Sequence, residues 1–512
     1  MINYFLLFGS KMNLRVQLRF WILIPLYLLI LFGGFSIFYS CQENFDEINF
    51  PKTGAVTSEP DGLFTVATQR GSMTWYMYDR LQRIITNQYM QYNTLDGSGA
   101  LDHYEPNYGM FTDVWDRMYG DQTWEIAPLF YANHTVEVSF QRENPHKEGI
   151  ARIWKAFLFQ RMTDLYGDIP YFEAFKASLP KFDEQKMIYY DLVDQLVLGK
   201  NLISEPGRFH SFGSADLIYG GDVKKWEKFA NSVLLRIALR VSLVDQELAQ
   251  NIFNQIQNAP LIDSHQDSSK MVWDATTSNI YFRNPILVTE VFNNTRMSAT
   301  IVDFLKTHSD PRLPLFVKPA ASDGAYRGLP NGLDPNQQTV FDQNHYNQYS
   351  KVGPVFIQED GATYNLSYAE VSFLRAEAAM LGYLDGDPAE LYYQGIKASL
   401  EMYGLENDIA FQEYIDRPEI QYDPANGLEQ IITQKWVALC MNGVEAWFEK
   451  RRTGFPKLVP LEFAGTINNG SFPRRLTYSD SERRLNQENL DQAVSRMGGD
   501  TQLTRVWWDT KP

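Results

Sequence analysis

Cysteine is nearly absent from this chain: 512 residues carry only Cys41 and Cys440, and the seven histidines are scattered. Two cysteines cannot build a disulfide framework. Cys440 lies in the apolar helical pattern of Trp436, Val437 and Leu439, which reads as a buried, inert thiol. Catalytic signatures are missing too. No His-Glu-x-x-His helix, Gly-x-Ser-x-Gly elbow or phosphate-cradling glycine loop with lysine occurs, so no catalytic residue, metal or cofactor is expected. The stretch Asp96-Gly97-Ser98-Gly99-Ala100-Leu101-Asp102 lacks the alternating ligands and terminal glutamate of a calcium loop and reads as a polar turn. Positive charge is also in deficit. Lys11, Arg15 and Arg19 are the only charged residues before Cys41, leaving 43 basic against 62 acidic side chains beyond it. A surface so acidic repels phosphate backbones, and nucleic acid is excluded as a partner.

What the chain does have begins at its N-terminus. Three positive residues precede an apolar run over residues 20–38, which ends in Tyr39, Ser40 and Cys41. This is the layout of a secretory signal, and the cysteine after a small residue resembles a bacterial lipobox. Residues 1–40 are therefore expected to be a signal peptide, with Met1 or Met12 as the start, and Cys41 the site of lipid attachment. A retained membrane-spanning anchor is the alternative, because about 20 apolar residues suffice to cross a bilayer. Residues 41–64, polar and interrupted by Pro51 and Pro60, read as a tether to a folded body over residues 65–512.

Within that body helical periodicity dominates, and the expected fold is mainly α. Residues 149–166 place Ile150, Ile153, Trp154, Phe157, Leu158 and Leu165 at three-and-four spacing before Gly167. Asp222 stands where it caps a second such helix carrying Trp226, Phe229, Val233, Leu234 and Ile237. Residues 368–382 and 389–402 form a helix hairpin whose Ala376, Gly382, Tyr383, Tyr393 and Ala398 follow the order of a tetratricopeptide repeat. Only one such repeat is convincing, so the expectation is tetratricopeptide-like helix pairs packed into one globule, with long loops and few short strands. A further helix is expected over residues 428–451, and strand-like alternation over residues 351–357. With 29 tyrosines and 11 tryptophans, many rings are expected at the surface, where they suit ligands that have both an apolar face and polar edges.

Several segments in a fixed order carry a resemblance. They are Phe45-Asp46-Glu47-Ile48-Asn49, Tyr166-Gly167-Asp168-Ile169-Pro170-Tyr171, Asp310-Pro311-Arg312-Leu313-Pro314, Ser367-Tyr368-Ala369-Glu370, Gln434-Lys435-Trp436, Gly443-Val444-Glu445-Ala446-Trp447-Phe448-Glu449, Arg474-Arg475-Leu476-Thr477-Tyr478 and Val506-Trp507-Trp508-Asp509. Together they resemble the SusD/RagB family of Bacteroidetes, in its branch of SusD-like nutrient-binding lipoproteins. The resemblance implies a lipid-anchored, surface-exposed outer-membrane protein. It also implies binding of an oligosaccharide or peptide ligand and delivery to a TonB-dependent SusC-like transporter. These motifs read mostly as scaffold, with Asp310 placed to pair with Arg312. A surface hydrolase using two of the many carboxylates, or an adhesin, are the other classes. Ligand contacts are expected from the loops instead: Gln91, Tyr92, Tyr104 and Tyr108 in the first, Trp273 and Tyr281 in the second, Tyr326, Arg327 and Tyr346 in the third. Stacking rings with Gln91 and Arg327 as polar guides would suit a sugar, or a carboxylate held by the arginine fork.

Overall fold

The computed structural model describes residues 59–94, 100–120, 127–292, 295–334, 343–461, 463, 465 and 467–511. Cys41, the apolar run before it and residues 96–99 lie outside them. Helix α1 (Pro60–Gly71) opens on a proline, whose missing N–H costs nothing in a first turn. Helix α2 covers residues 75–89 and is π-helical through its middle, Tyr78–Thr86. After β1 (Asn93–Thr94), α3 (Tyr108–Tyr119), α4 (Pro128–Gln141) and α5 (Pro145–Tyr166) follow. The Asn144 side chain accepts from Lys147 N–H at the start of α5, and Gly167, at φ +88°, ends it. Strand β2 (Ile169–Pro170) then pairs antiparallel with β3 (Phe182–Asp183), which is the helix stop and extended segment expected of this motif.

Next come α6 (Gln185–Ile203), α7 (Val223–Val241) and α8 (Gln246–Ile256). Asp222 caps α7 by accepting from Lys224 and Lys225 N–H. Strand β4 (Ser269–Val272), α9 (Pro285–Phe292), β5 (Arg296–Met297) and α10 (Ala299–Thr307) lead to β6 (Val317–Lys318), β7 (Lys351–Val352) and β8 (Ala362–Leu366). The strands form four two-stranded antiparallel pairs, β1 with β5, β2 with β3, β4 with β8 and β6 with β7. Of the expected strand over residues 351–357 only the first two residues pair. Helices α11 (Tyr368–Met380) and α12 (Pro388–Met402) are the predicted hairpin, and α13 (Asp408–Ile415), α14 (Gly427–Ala438), α15 (Gly443–Thr453), α16 (Asp480–Leu485) and α17 (Gln487–Met497) complete the order.

The helices pack as close pairs, and small residues set the crossings. A Cβ built on Gly149 would lie 2.6 Å from Gly199 O, and one on Gly199 2.8 Å from Gly149 O, so α5 and α6 touch backbone to backbone. Gly395 of α12 lies equally tight under the Phe373 ring of α11. Residues 58–175 and 179–512 together make one compact unit. Its core takes most of the large rings: Trp115, Trp154, Trp226, Trp273, Trp436, Trp447 and Trp508 are all buried. The expected surface display of aromatics is thus largely replaced by ring-on-ring packing, such as Trp154 edge-on to Trp226 at 6.1 Å.

The single helix expected over residues 428–451 is two. Met441 adopts φ +67°, and Gly443 comes so close to α2 that a Cβ would sit 2.5 Å from Asn87 N. The chain turns there, and Gly443 N–H donates to Asn87 Oδ1 at 2.8 Å. Cys440, in the turn, is buried, and burial pushes its thiol pKa up, as an inert thiol requires.

Charge is buried at the centre of the helices. Arg240 of α7 meets Asp164 of α5 at 2.8 Å, Glu449 of α15 at 3.3 Å, and Glu445. Arg236, one turn earlier, bonds Glu370 of α11 at 2.7 Å. Lys435 of α14 lies 3.3 Å from Glu449, and Arg452 joins Glu449 to Glu377 of α11 at 2.6 Å each. Burial opposes ionisation of Glu449, yet Arg452, Lys435 and Arg240 around it hold its pKa well below the usual carboxylate range. Removing one partner from such a buried set strands the others. Glu449→Ala is expected to lower unfolding free energy by about 3–5 kcal/mol, measured by chemical denaturation followed through the helical circular-dichroism signal. A loss under about 1 kcal/mol would mean that the network is not held together by charge pairing.

Candidate functional site

A cavity of about 540 Å³ opens between α10, α14 and the segment 456–460. Its walls follow from helical spacing. On α14, Glu429, Thr433 and Trp436 recur at four and three residues and share one face; on α10, Thr300, Phe304, Thr307 and His308 do the same. Pro330 and Asn331 close one side, and Pro456 with Pro460 stiffen the wall opposite.

Each wall is held by named bonds. Gln91, itself in a left-handed conformation (φ +53°), is 1% exposed and braces three segments. Its Nε2 donates to Val459 O at 2.7 Å and Tyr104 Oη at 3.3 Å, and its Oε1 accepts from Thr300 Oγ1 at 2.5 Å and Val459 N–H at 3.1 Å. Trp436 donates through Nε1 to Met90 O, stacks on Tyr92 at 5.4 Å and meets the edge of Phe304 at 5.7 Å. Phe304 and His308, one turn apart on α10, lie 4.1 Å ring to ring, with His308 Nδ1 2.8 Å from Phe304 O. Both residues are half-buried and line the cavity. The side-chain hydroxyls of Thr307 and Thr433 have no hydrogen-bond partner among the described residues, and Glu429 pairs with Lys457 at 2.8 Å across the mouth. The arrangement can stack a flat apolar face and offer hydroxyl, imidazole and carboxylate edges around it.

The nine sequence-predicted residues separate. Gln91 alone lines this cavity, with its polar atoms spent on bracing. Tyr92 and Tyr104 stand behind it, buried, Tyr92 donating to Trp436 O at 2.5 Å. Tyr108, 53% exposed, begins α3. Trp273 is 2% exposed and donates to Thr363 Oγ1 at 3.2 Å; Tyr281 is half-buried with its ring 6.2 Å from Trp75. Arg327 pairs with Asp323 at 2.8 Å and donates to Gln348 O, beside a half-buried Tyr326. Tyr346 is buried, and the Arg296 guanidinium lies 5.5 Å from its ring centre. The structure therefore brings together Gln91, Tyr92 and Tyr104, leaves Tyr108 exposed at the start of α3, and places none of the second or third group in the cavity wall. Phe304, Thr307 and Thr433 sit on helices and His308 just past the end of α10, where loop composition gives no signal; the mixed polar and aromatic stripe of α10 is the signal that points to them.

A titratable latch holds the Pro330–Asn331 side. His103 Nδ1 lies 3.0 Å from Asp102 Oδ1 and its Nε2 2.6 Å from Leu333 O, while Asp102 Oδ2 accepts from Gly332 N–H and Thr94 Oγ1. Burial lowers the His103 pKa, but the Asp102 bond and charge, the Leu333 carbonyl and Glu105 outweigh it, and the net shift is upward from 6.5. A raised folded pKa stabilises most below the unfolded value and the gain is lost as pH climbs past the folded one. Unfolding free energy should therefore fall as pH rises above about 6.5, and His103→Gln should flatten that slope, read by denaturation at several pH values. An unchanged slope in the variant would remove His103 as its source.

A helical scaffold presenting a ring-and-hydroxyl cavity describes a class of binding fold, and comparison with known proteins narrows it. The SusD-like family model described as starch-binding associating with outer membrane matches residues 55–479. The chain belongs to that SusD-like family. Among solved structures, a chitin-binding protein is 26% identical with a TM-score of 0.79, covering 88% of this chain and 100% of its own. A SusD homologue from Bacteroides uniformis is 26% identical with a TM-score of 0.75, covering 88% and 99%. A chitin-binding SusD homologue from Flavobacterium johnsoniae, 24% identical with a TM-score of 0.74 and covering 89% and 99%, shows the shared fold. Curated proteins give no match.

Proposed function

We propose that this protein captures a glycan in the cavity between α10 and α14 and passes it, unchanged, to a TonB-dependent SusC-like transporter in the outer membrane, held at the cell surface by lipid on Cys41. The observation that carries the binding step is the placing of Phe304 and His308 beside the hydroxyls of Thr307 and Thr433, which have no partner among the described residues. Sugars need both, an apolar face for stacking and polar edges for their hydroxyls. The family's starch-binding description and the chitin-binding relative support a glycan over a peptide. Transport partnership and the anchor rest on the family and on the N-terminal sequence. Among the described residues no helix is long and apolar enough to cross a membrane, and residues 20–38 lie outside them.

The cavity's carboxylates argue against hydrolysis. A glycosidase needs two carboxylates enclosed around the scissile bond. The Asp303 side chain is 66% exposed, and Glu429 makes an ion pair with Lys457 at 2.8 Å. Calorimetric titration of the purified protein with chito-oligosaccharides and malto-oligosaccharides tests the reading. One series should bind and be recovered intact by chromatography, and Phe304→Ala should weaken it by about 1 kcal/mol or more with helical content preserved. Binding unaffected by Phe304→Ala would place the site elsewhere, and product release would make the protein an enzyme.

A further inference from the structure

A second cavity, about 350 Å³, lies where the π-helical part of α2, the β4–β8 pair and the turn between α14 and α15 meet. It shares no residue with the first. That volume is above the lower bound of about 300 Å³ for small-molecule pockets. Its floor is apolar, with buried Phe356 and Ile286 and the half-buried ring of Tyr403, and its rim reaches solvent at exposed Val272 and Asp360.

Three polar groups on the walls are unused. Gln82 is 6% exposed, and its Oε1 is sealed from solvent with no hydrogen-bond partner. Leaving a buried acceptor unpaired is costly, and an occupant whose donor reaches Gln82 Oε1 as the side chain adjusts would relieve that cost. The Tyr364 hydroxyl has no partner among the described residues, and burial raises its pKa, keeping it a neutral donor. Lys270 has no acid within ion-pair distance among those residues, and its ammonium lies 5.9 Å from the Tyr364 ring centre. The π-helical stretch presents Tyr78 and Gln82 to the same space, and such distortions recur at functional sites.

We propose that this cavity is a second, separate ligand site that takes a single pyranose ring. A ring hydroxyl donates to Gln82 Oε1, other ring oxygens accept from Tyr364 Oη and Lys270 Nζ, and the apolar face of the sugar lies on Phe356 and Tyr403. The site stands on its own residues and does not depend on what the first cavity binds. Ligand-observed NMR with methyl β-glucopyranoside on the full chain in detergent tests it. The wild type should bind the probe. Gln82→Leu should weaken it at least tenfold while thermal stability holds or rises, because the unpaired acceptor is gone. Tyr364→Phe, a change of one hydroxyl at a half-buried ring, should weaken binding several-fold and decides the matter if Gln82→Leu does not fold. No binding by the wild type, or equal binding by wild type and Tyr364→Phe, would overturn the proposal, as would equal binding of glycerol, which has hydroxyls but no ring. If the first cavity binds no oligosaccharide, the response to Gln82→Leu still reads this site alone.

Discussion

Arg240 is the residue on which the rest of the helical body depends. Fully buried, it joins Asp164, Glu445 and Glu449, and through them ties α7 to α5 and α15. A guanidinium cannot lie in a protein interior without such partners, so these helices are compelled to meet at fixed depth and rotation. The neighbouring pairs extend the constraint. Arg452 fastens α15 to α11 through Glu377, and Arg236 fastens α7 to α11 through Glu370. Rings shield the centre, since the Arg240 guanidinium lies 5.1 Å from the Trp508 ring centre and 5.3 Å from that of Phe448.

That constraint reaches the candidate site through α14. Lys435 turns inward to Glu449, and Gln434 accepts from Arg312 at 2.9 Å. Arg312 is itself clamped by Asp310 in a bidentate pair at 2.6 and 2.8 Å. With residues 434 and 435 committed to the interior, the helix can present only the face bearing Glu429, Thr433 and Trp436 to the cavity. Gln91 then fixes α10 and the 456–460 wall against it. The cavity is thus preorganised by bonds made elsewhere, which lowers the ordering cost of taking up a ligand.

Much of this was legible in sequence, and the reason is local. Amphipathic spacing marked α5 and α7, and Asp222 and Gly167 act at the ends where their chemistry placed them. The motifs among the described residues are mostly scaffold: Glu370, Lys435, Glu445 and Glu449 are the buried network, and Asp310 does pair with Arg312, while Trp436 lines the cavity. Ser367 caps α11 by accepting from Glu370 N–H, and the Glu370 side chain serves Arg236, a partner far along the chain. What sequence could not give was long-range. Trp273 sits in a loop-like stretch and reads as a surface ring, but pairing of β4 with β8 buries it. The turn at Met441 carries neither proline nor an expected glycine at the bend, because contact between Gly443 and α2 imposes it. The cavity stripe on α10 has the same periodicity as a core face, and only the packing of its neighbours distinguishes the two.

The central claim is that a glycan lies between α10 and α14 because the buried network holds those faces apart and in register. A crystal structure of the protein with a bound chito- or malto-oligosaccharide tests this most directly. The account predicts sugar density against Phe304 and His308, with hydroxyls within hydrogen-bond distance of Thr307 and Thr433 and the Arg240 contacts unchanged. Oligosaccharide seated elsewhere, with that cavity filled only by solvent, would contradict it.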